Sequence, residues 1–347
     1  MIRIGIVGCN YGCAVLLPAF RADPRCQVVA LAGSDAARTQ ELARDRGIAA
    51  SFGRWEDLVA HDDIDAIAIA TPPGLQPEIA VRALRSGKPV FAEKPLAADL
   101  AGAAAILAEA RASARPVAID FEFPEIAAWR RAKALMDAGA LGALRHVTVN
   151  WHVETHATRL RLQSWKTSGR QGGGALGNFV SHCFYYLEHF CGPIRDLSAR
   201  TFGIPGEDPP SESSVAMSGT FASGAAFMLS MSAASHLGSG HRIEFYGEDG
   251  TLVLWNATAD YMRGFKLFHS RRPAPALEQI AGAADDDDDF PDGRIGPVSR
   301  LAARFLDAIE RGVALRPGIA EGVRVQELIE TARRSNASGA KTMSAGS

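Results

Sequence analysis

The chain has no excess of either charge, no long apolar run and no paired cysteine motif, and each absence removes a class of function. Its 37 Lys and Arg are offset by 39 Asp and Glu, for a formal net charge of −2. With no basic face implied, no nucleic-acid partner is expected. No uninterrupted apolar stretch approaches the roughly 18 residues that span a bilayer, so no membrane partner is expected either. The five cysteines, Cys9, Cys13, Cys26, Cys183 and Cys191, are odd in number and include no C-x-x-C pair. They read as reduced thiols acting as small hydrophobes. No basic leader precedes the first apolar segment, which predicts a cytoplasmic protein without a signal peptide. Asp285–Asp289 is a run of five aspartates beside Pro291 and Gly293. A calcium loop would space its ligands, so the run reads as a solvated loop, and no metal is predicted.

At 347 residues, 47% apolar and 22% charged, the chain suits a two-domain globular protein. Short apolar strands are predicted at Ile2–Val7, Gln27–Ala32, Ala66–Ala70, Pro89–Ala92 and Val117–Phe121. Helices are predicted between them at Ala14–Arg21, Ala36–Arg46, Trp55–Ala60, Glu78–Ser86 and Leu100–Ala114. Strands too apolar to alternate, each followed by a helix, imply a parallel sheet covered on both faces. After about Asp120 the pattern changes. Alternating strands are predicted at Arg145–Val153, Ser214–Phe221, Ala225–Ala233, Arg242–Tyr246 and Thr251–Leu254. Helices are predicted at Ile126–Ala138, from Gly172-Gly173-Gly174 to about Phe190, and at Val298–Arg311 and Ala320–Ser335. The fold class is therefore α/β: a Rossmann-type doubly wound domain over 1–120, then an α+β domain over 121–347 with an open, mostly antiparallel sheet. The second is expected to bind substrate and to form a homodimer or homotetramer through apolar positions on the outer face of its sheet.

Doubly wound sheets bind ligands at the carboxyl ends of their strands, where the segments at Gly8, Thr71-Pro72 and Lys94 fall. Gly8-Cys9-Asn10-Tyr11-Gly12-Cys13 is a degraded dinucleotide fingerprint. Asn10 stands at the second glycine position and tolerates positive φ; the third role falls to Cys13 unless Gly12 takes it. The helix that follows would aim its first N–H groups at a pyrophosphate. After the second strand, Gly33 stands where an acid would select NAD. Ser34 and Arg38 could instead engage a 2′-phosphate, whereas Asp35 favours NAD unless it caps the next helix. NADP is preferred and NAD stays open.

Two clusters carry the chemistry. In Phe91-Ala92-Glu93-Lys94-Pro95 the proline ends the strand and fixes the turn, holding the Lys94 ammonium where it can polarise a substrate oxygen. In Gly172-Gly173-Gly174-Ala175-Leu176-Gly177-Asn178-Phe179-Val180-Ser181-His182, Asn178 and His182 are four apart and share a helix face. Tyr185 and Tyr186 follow near that face, and His182 is the candidate proton carrier.

Together these segments resemble the glucose–fructose oxidoreductase, inositol dehydrogenase and rhizopine-catabolism family (Gfo/Idh/MocA). The resemblance also rests on Ala70-Thr71-Pro72-Pro73, Gly139-Ala140-Leu141-Gly142, Tyr246-Gly247-Glu248-Asp249-Gly250, and the helices beginning Phe305-Leu306-Asp307 and Glu321-Gly322. It implies a nicotinamide-dependent oxidoreductase acting on the CH–OH or carbonyl carbon of a sugar, cyclitol or related small molecule. Lys94 matches the family lysine and His182 the family histidine that trades a proton with the reacting oxygen. Trp165-Lys166 matches a tryptophan–arginine step near the nicotinamide, with lysine for arginine. The resemblance thus gives Gly8, Asn10, Tyr11, Gly12, Ser34, Arg38, Thr71, Pro72, Glu93, Lys94, Trp165 and Lys166 as cofactor residues. It gives Lys94, Glu122, Asn178, His182 and Tyr186 as substrate residues. Three positions depart from the family pattern. Asn178 replaces a frequent aspartate, Glu122 stands in a segment that often carries asparagine, and Gln76 replaces a frequent histidine. An NAD-dependent glycosidase using transient oxidation and a non-catalytic NADP-binding redox sensor are the rival expectations.

Overall fold

The computed structural model describes residues 1–205, 212–258, 260–281 and 289–340, with the backbone of 342 and 343. The predicted aspartate loop lies outside these residues except for Asp289. The chain divides into two compact units. One comprises Met1–Glu122 and Asp289–Gln326; the other comprises Phe123–Asp288 and Glu327–Ser347.

In the first unit the strands are β1 (Ile2–Val7), β2 (Cys26–Ala32), β3 (Ala50–Phe52), β4 (Ala66–Ile69), β5 (Val90–Ala92) and β6 (Val117–Ile119). They form one parallel sheet in the order β3-β2-β1-β4-β5-β6. This is the Rossmann order, and the direction of winding reverses between β1 and β4. Every residue of β4 and β5 is buried, as the unbroken apolar runs require of strands covered on both faces. β3, Ala50-Ser51-Phe52, is only half-buried, so it lacks the apolar run that marks the other strands.

The helix Ile295–Arg311 belongs to this first unit, although its place in the sequence follows the whole α+β region. Its apolar stripe Val298, Leu301, Ala302 and Phe305 is buried in the same core as Ile4, Ile6 and Phe20. Phe305 packs edge-on against Phe20 and Phe91 with centroids 6.4 and 5.8 Å away. Arg25 bridges Asp23 at 2.7 Å and Asp307 at 2.6 Å, tying the helix to the start of β2. The reading of 121–347 as one block missed this return, because a cut along the chain cannot register packing between distant segments.

The strands of the second unit are β7 (Leu144–His152), β8 (Ile194–Phe202), β9 (Ser214–Phe221), β10 (Ala226–Ser232), β11 (Gly240–Gly247), β12 (Gly250–Asn256), β13 (Lys266–Arg271), β14 (Glu278–Gln279) and β15 (Thr342–Met343). They form a nine-stranded sheet in the order β14-β13-β12-β11-β7-β10-β9-β8-β15. Only β7 and β10, at its middle, run parallel; the other pairs are antiparallel. Alternation follows the pleat: Val147, Val149 and Trp151 of β7 are buried while Thr148 and Asn150 are not. The helices Ala127–Asp137 and Ser181–Cys191 supply Trp129, Tyr186 and Phe190 to the buried aromatic core. On β10 the outward positions are Ala226, Met228, Ser230 and Ser232, so only Met228 is a large exposed hydrophobe there. Among the described residues no helix is long and apolar enough to cross a membrane.

Candidate active site

In the first unit the predicted residues gather at the carboxyl ends of β1, β4, β5 and β6. Gly8 ends β1 at φ +110°, and a Cβ on it would lie 2.3 Å from the Ala70 carbonyl oxygen. The backbones beyond β1 and β4 thus meet where the winding reverses. The helix starts earlier than predicted, with a π turn over Gly12–Leu16 in which the Leu17 N–H donates to the Gly12 carbonyl. Pro18 follows and has no N–H to continue that register, so an α-helical stretch, Leu17–Arg21, takes over.

The adenosine side of the turn is equally ordered. Asp35 is the N-cap of Ala36–Asp45, accepting from the Arg38 N–H at 3.0 Å. Its carboxylate is therefore engaged in the capping role that the sequence left open. The Arg38 guanidinium donates to Asn10 Oδ1 at 3.0 Å, which joins two predicted cofactor residues. Ser34 and Arg38 are exposed. At Gly33 a Cβ would meet Cys9 Sγ at 2.5 Å and Thr39 Oγ1 at 2.6 Å, so the position that would carry a selective acid has no room for a side chain.

Lys94 leaves β5 between half-buried Glu93 and buried Pro95. Gln76, wholly buried, donates from Nε2 to the Pro95 carbonyl at 2.9 Å and so anchors the loop. Around Lys94 the structure collects three carboxyl groups. Asp120 is fully buried and accepts from the Tyr11 hydroxyl at 2.9 Å. Burial, reinforced by the charge of Glu93, lifts the Asp120 carboxyl well above the usual carboxylate range. Burial likewise raises Glu93, against the pull of the Lys94 ammonium. Burial and then the Asp120 charge push Glu122 up to about 8, again opposed by Lys94. At neutral pH Glu122 is then mostly a neutral acid. Asp120 carried no mark in the sequence, since one aspartate ending a strand is unremarkable until its burial is seen.

In the second unit the predicted groups lie on and around the glycine-led helix. Trp165–Thr167 is a 3₁₀ turn capped by Ser164, with the exposed Lys166 ammonium 5.8 Å from the Trp165 ring centroid. A Cβ on Gly173 would sit 1.8 Å from the Trp165 carbonyl oxygen, so this glycine admits that turn against the helix start. Glu212 closes the same corner, accepting from the Leu176 N–H at 2.7 Å while its carbonyl accepts from the Ala175 N–H at 2.8 Å. A π turn over Leu176–Val180 carries Asn178, and the α-helix Ser181–Cys191 follows it. The simple four-residue spacing to His182 is thus widened. His182 is 5% exposed, its ring edge-on to Phe123 with centroids 4.9 Å apart.

Tyr186 requires a correction. Expected to bind substrate, it is fully buried, with its hydroxyl 3.0 Å from Cys183 Sγ and 3.1 Å from His241 Nε2. An aromatic one turn after His182 points along the apolar stripe into the core. His241 itself stacks on Trp151 at 4.2 Å, and burial holds its pKa down at about 3, so it is a neutral core histidine.

A dinucleotide suits the first unit on structural grounds. The Thr71 hydroxyl after β4 is buried without a hydrogen-bond partner among the described residues, and the Gly8 turn leaves the backbone bare at the switch point. Comparison with known proteins adds to this. Residues 2–121 match the GFO_IDH_MocA model, an oxidoreductase family with an NAD-binding Rossmann fold, and residues 129–253 match the GFO/IDH/MocA C-terminal domain. The chain is 31% identical to an uncharacterized oxidoreductase of Synechocystis sp. over 348 residues, covering 96% of this chain and 94% of the relative. A dTDP-3,4-didehydro-2,6-dideoxy-alpha-D-glucose 3-reductase of Streptomyces violaceoruber is 35% identical over 153 residues, 44% of each chain. In fold, the chain is similar to levoglucosan dehydrogenase in complex with NADH and levoglucosan, with TM-score 0.89 over 99% of both chains at 20% identity.

Proposed function

Because the chain belongs to the GFO/IDH/MocA oxidoreductase family, we propose that it transfers a hydride between a nicotinamide and a carbinol or carbonyl carbon of a sugar, cyclitol or related small molecule. The observation that carries the reading is the convergence of Gly8, Thr71 and the Glu93-Lys94-Pro95 turn on the carboxyl ends of one doubly wound sheet, at and beside its switch point. The first unit holds the dinucleotide through Gly8, Asn10, Tyr11, Gly12, Thr71, Pro72 and Glu93. The second offers Trp165 and Lys166 to it and Asn178 and His182 to the substrate. When bound, the dinucleotide supplies the hydride acceptor or donor. The Lys94 ammonium polarises the reacting oxygen, and the His182 imidazole takes or returns its proton. Titration with NAD and NADP, followed by a survey of polyol oxidation, tests the assignment. A protein that binds neither nucleotide would end it.

The cofactor reading favours NADP, supported by Arg38 and Ser34 at the surface, the crowded Gly33 and the capping role of Asp35. Hydrogen bonds to a charged partner contribute about 1.5–3 kcal/mol, so Arg38→Ala should weaken NADP at least about tenfold. NAD affinity, which would lose only the Arg38–Asn10 contact, should fall far less. Equal losses for both nucleotides, measured by fluorescence titration, would remove the 2′-phosphate from the argument.

Asn178 cannot take a proton at neutral pH, which leaves that duty to His182. Asn178→Asp should add a titrating carboxylate beside the reaction, moving the pH profile of kcat with little change in cofactor affinity. An unaltered profile would place Asn178 away from the chemistry.

A further inference from the structure

The acid group under Lys94 holds more than the family reading uses. Parallel register pairs Ala92 with Ile119, and the Asp120 N–H donates to the Ala92 carbonyl at 2.9 Å. Glu93 and Asp120 therefore leave adjacent strands side by side, and their carboxyl groups come within hydrogen-bonding reach. Glu93 Oε1 and Asp120 Oδ1 are both buried and have no hydrogen-bond donor among the described residues. Two carboxylates cannot donate to each other, and buried like charges this close do not both ionise. A single proton converts the repulsive contact into a hydrogen bond and satisfies both oxygens. The other Asp120 oxygen accepts from the Tyr11 hydroxyl, which also favours the charged form of Glu93, so Tyr11 supports the single charge of the pair.

We propose that Glu93 and Asp120 hold one proton between them, and that this dyad, with Tyr11 as its donor, is the positioning element that sets the negative charge facing Lys94. The charged groups around it come from each neighbouring element. Lys94 and Glu122 lie beside the dyad, and Arg294 stands over the Tyr11 ring at 5.2 Å while paired with Asp292 at 2.6 Å. With Glu122 mostly neutral, the dyad's single negative charge matches the single positive charge of Lys94. Asp120 thus acts through Glu93 and Lys94 and is not itself a catalytic residue. Its effect on turnover rests on the proposed dehydrogenase reading; the shared proton does not.

Infrared difference spectroscopy on the protein without nucleotide tests this, in a Glu122→Gln background that removes the third acid. At pH 7 subtraction of Asp120→Asn from the parent should leave the carbonyl band of a neutral carboxylic acid, and subtraction of Glu93→Gln should leave the same band. The Asn amide can donate to Glu93 as the shared proton did, so Glu93 loses its like-charged neighbour and its titration moves toward lower pH. Tyr11→Phe withdraws a donor that favours the charged form of the pair, so the acid band should persist to higher pH. If neither subtraction yields an acid band, the two groups share no proton and the proposal fails. In the kcat profile, Asp120→Asn should shift the pH dependence, whereas a uniform fall at all pH values would mean a purely structural role. An acid band in a protein whose hydride transfer ignores Lys94 would keep the dyad and reject the catalytic reading.

Discussion

Lys94→Ala is expected to slow hydride transfer by about a thousandfold, the scale lost when a preorganised donor is removed from a developing oxyanion. Cofactor affinity should change far less, because the Gly8 turn and the Asn10–Arg38 contact lie away from the ammonium in the chain and keep their geometry. Single-turnover stopped flow separates the two quantities, as it follows nicotinamide absorbance after binding is complete. Lys94→Arg should not restore the rate. A guanidinium is a planar fork with its own directions, whereas the ammonium is a compact point charge. The loop itself should survive both substitutions, since Gln76 holds it through the Pro95 carbonyl and the side chain of residue 94 takes no part in that bond. A near-normal single-turnover rate in Lys94→Ala would leave the Glu93-Lys94-Pro95 turn as a structural feature only.

The sequence makes the sheet of the first unit legible because burial on both faces writes continuous apolar runs, and β1, β2, β4, β5 and β6 all have them. β3, β8, β13 and β14 stay hidden. β3 is half-buried along its whole length and carries Ser51, so it writes no apolar run; β14 has only two residues; and β8 mixes Arg195, Asp196 and Arg200 into its run. The return of Ile295–Arg311 to the first core is invisible for a different reason: an amphipathic helix shows its apolar stripe but not which core receives it. The same limit governs the site. Gly8 and the glycine run stand out because few residues tolerate those positions, and Lys94 because a Glu-Lys-Pro step ends a strand. Asp120 does not, and its importance comes from burial beside Glu93. Tyr186 misleads because helical spacing places it near His182, while the depth of the aromatic core decides what its hydroxyl meets.

The glycine turn offers the sharpest test of how much of the degraded fingerprint matters. Gly8→Ala should lower the free energy of unfolding by about 3 kcal/mol and weaken dinucleotide binding by about a hundredfold. Two costs add there. The backbone sits at φ +110°, which L side chains rarely adopt, and the new Cβ would press on the Ala70 carbonyl oxygen at 2.3 Å. Both obstacles are backbone, so relief requires β1 and β4 to separate at the switch point where the pyrophosphate is expected. Gly12→Ala provides the contrast. Its backbone is helical, and the nearest atom, Ile6 Cγ2 at 2.7 Å, belongs to a side chain rather than to backbone, so overpacking is the only cost. Its cost should be about 1 kcal/mol, and binding should fall only a few-fold. Chemical denaturation and nucleotide titration of the two variants give the ranking directly. Should Gly12→Ala prove the more damaging, the close approach of the segments after β1 and β4 would not be what shapes the cofactor turn.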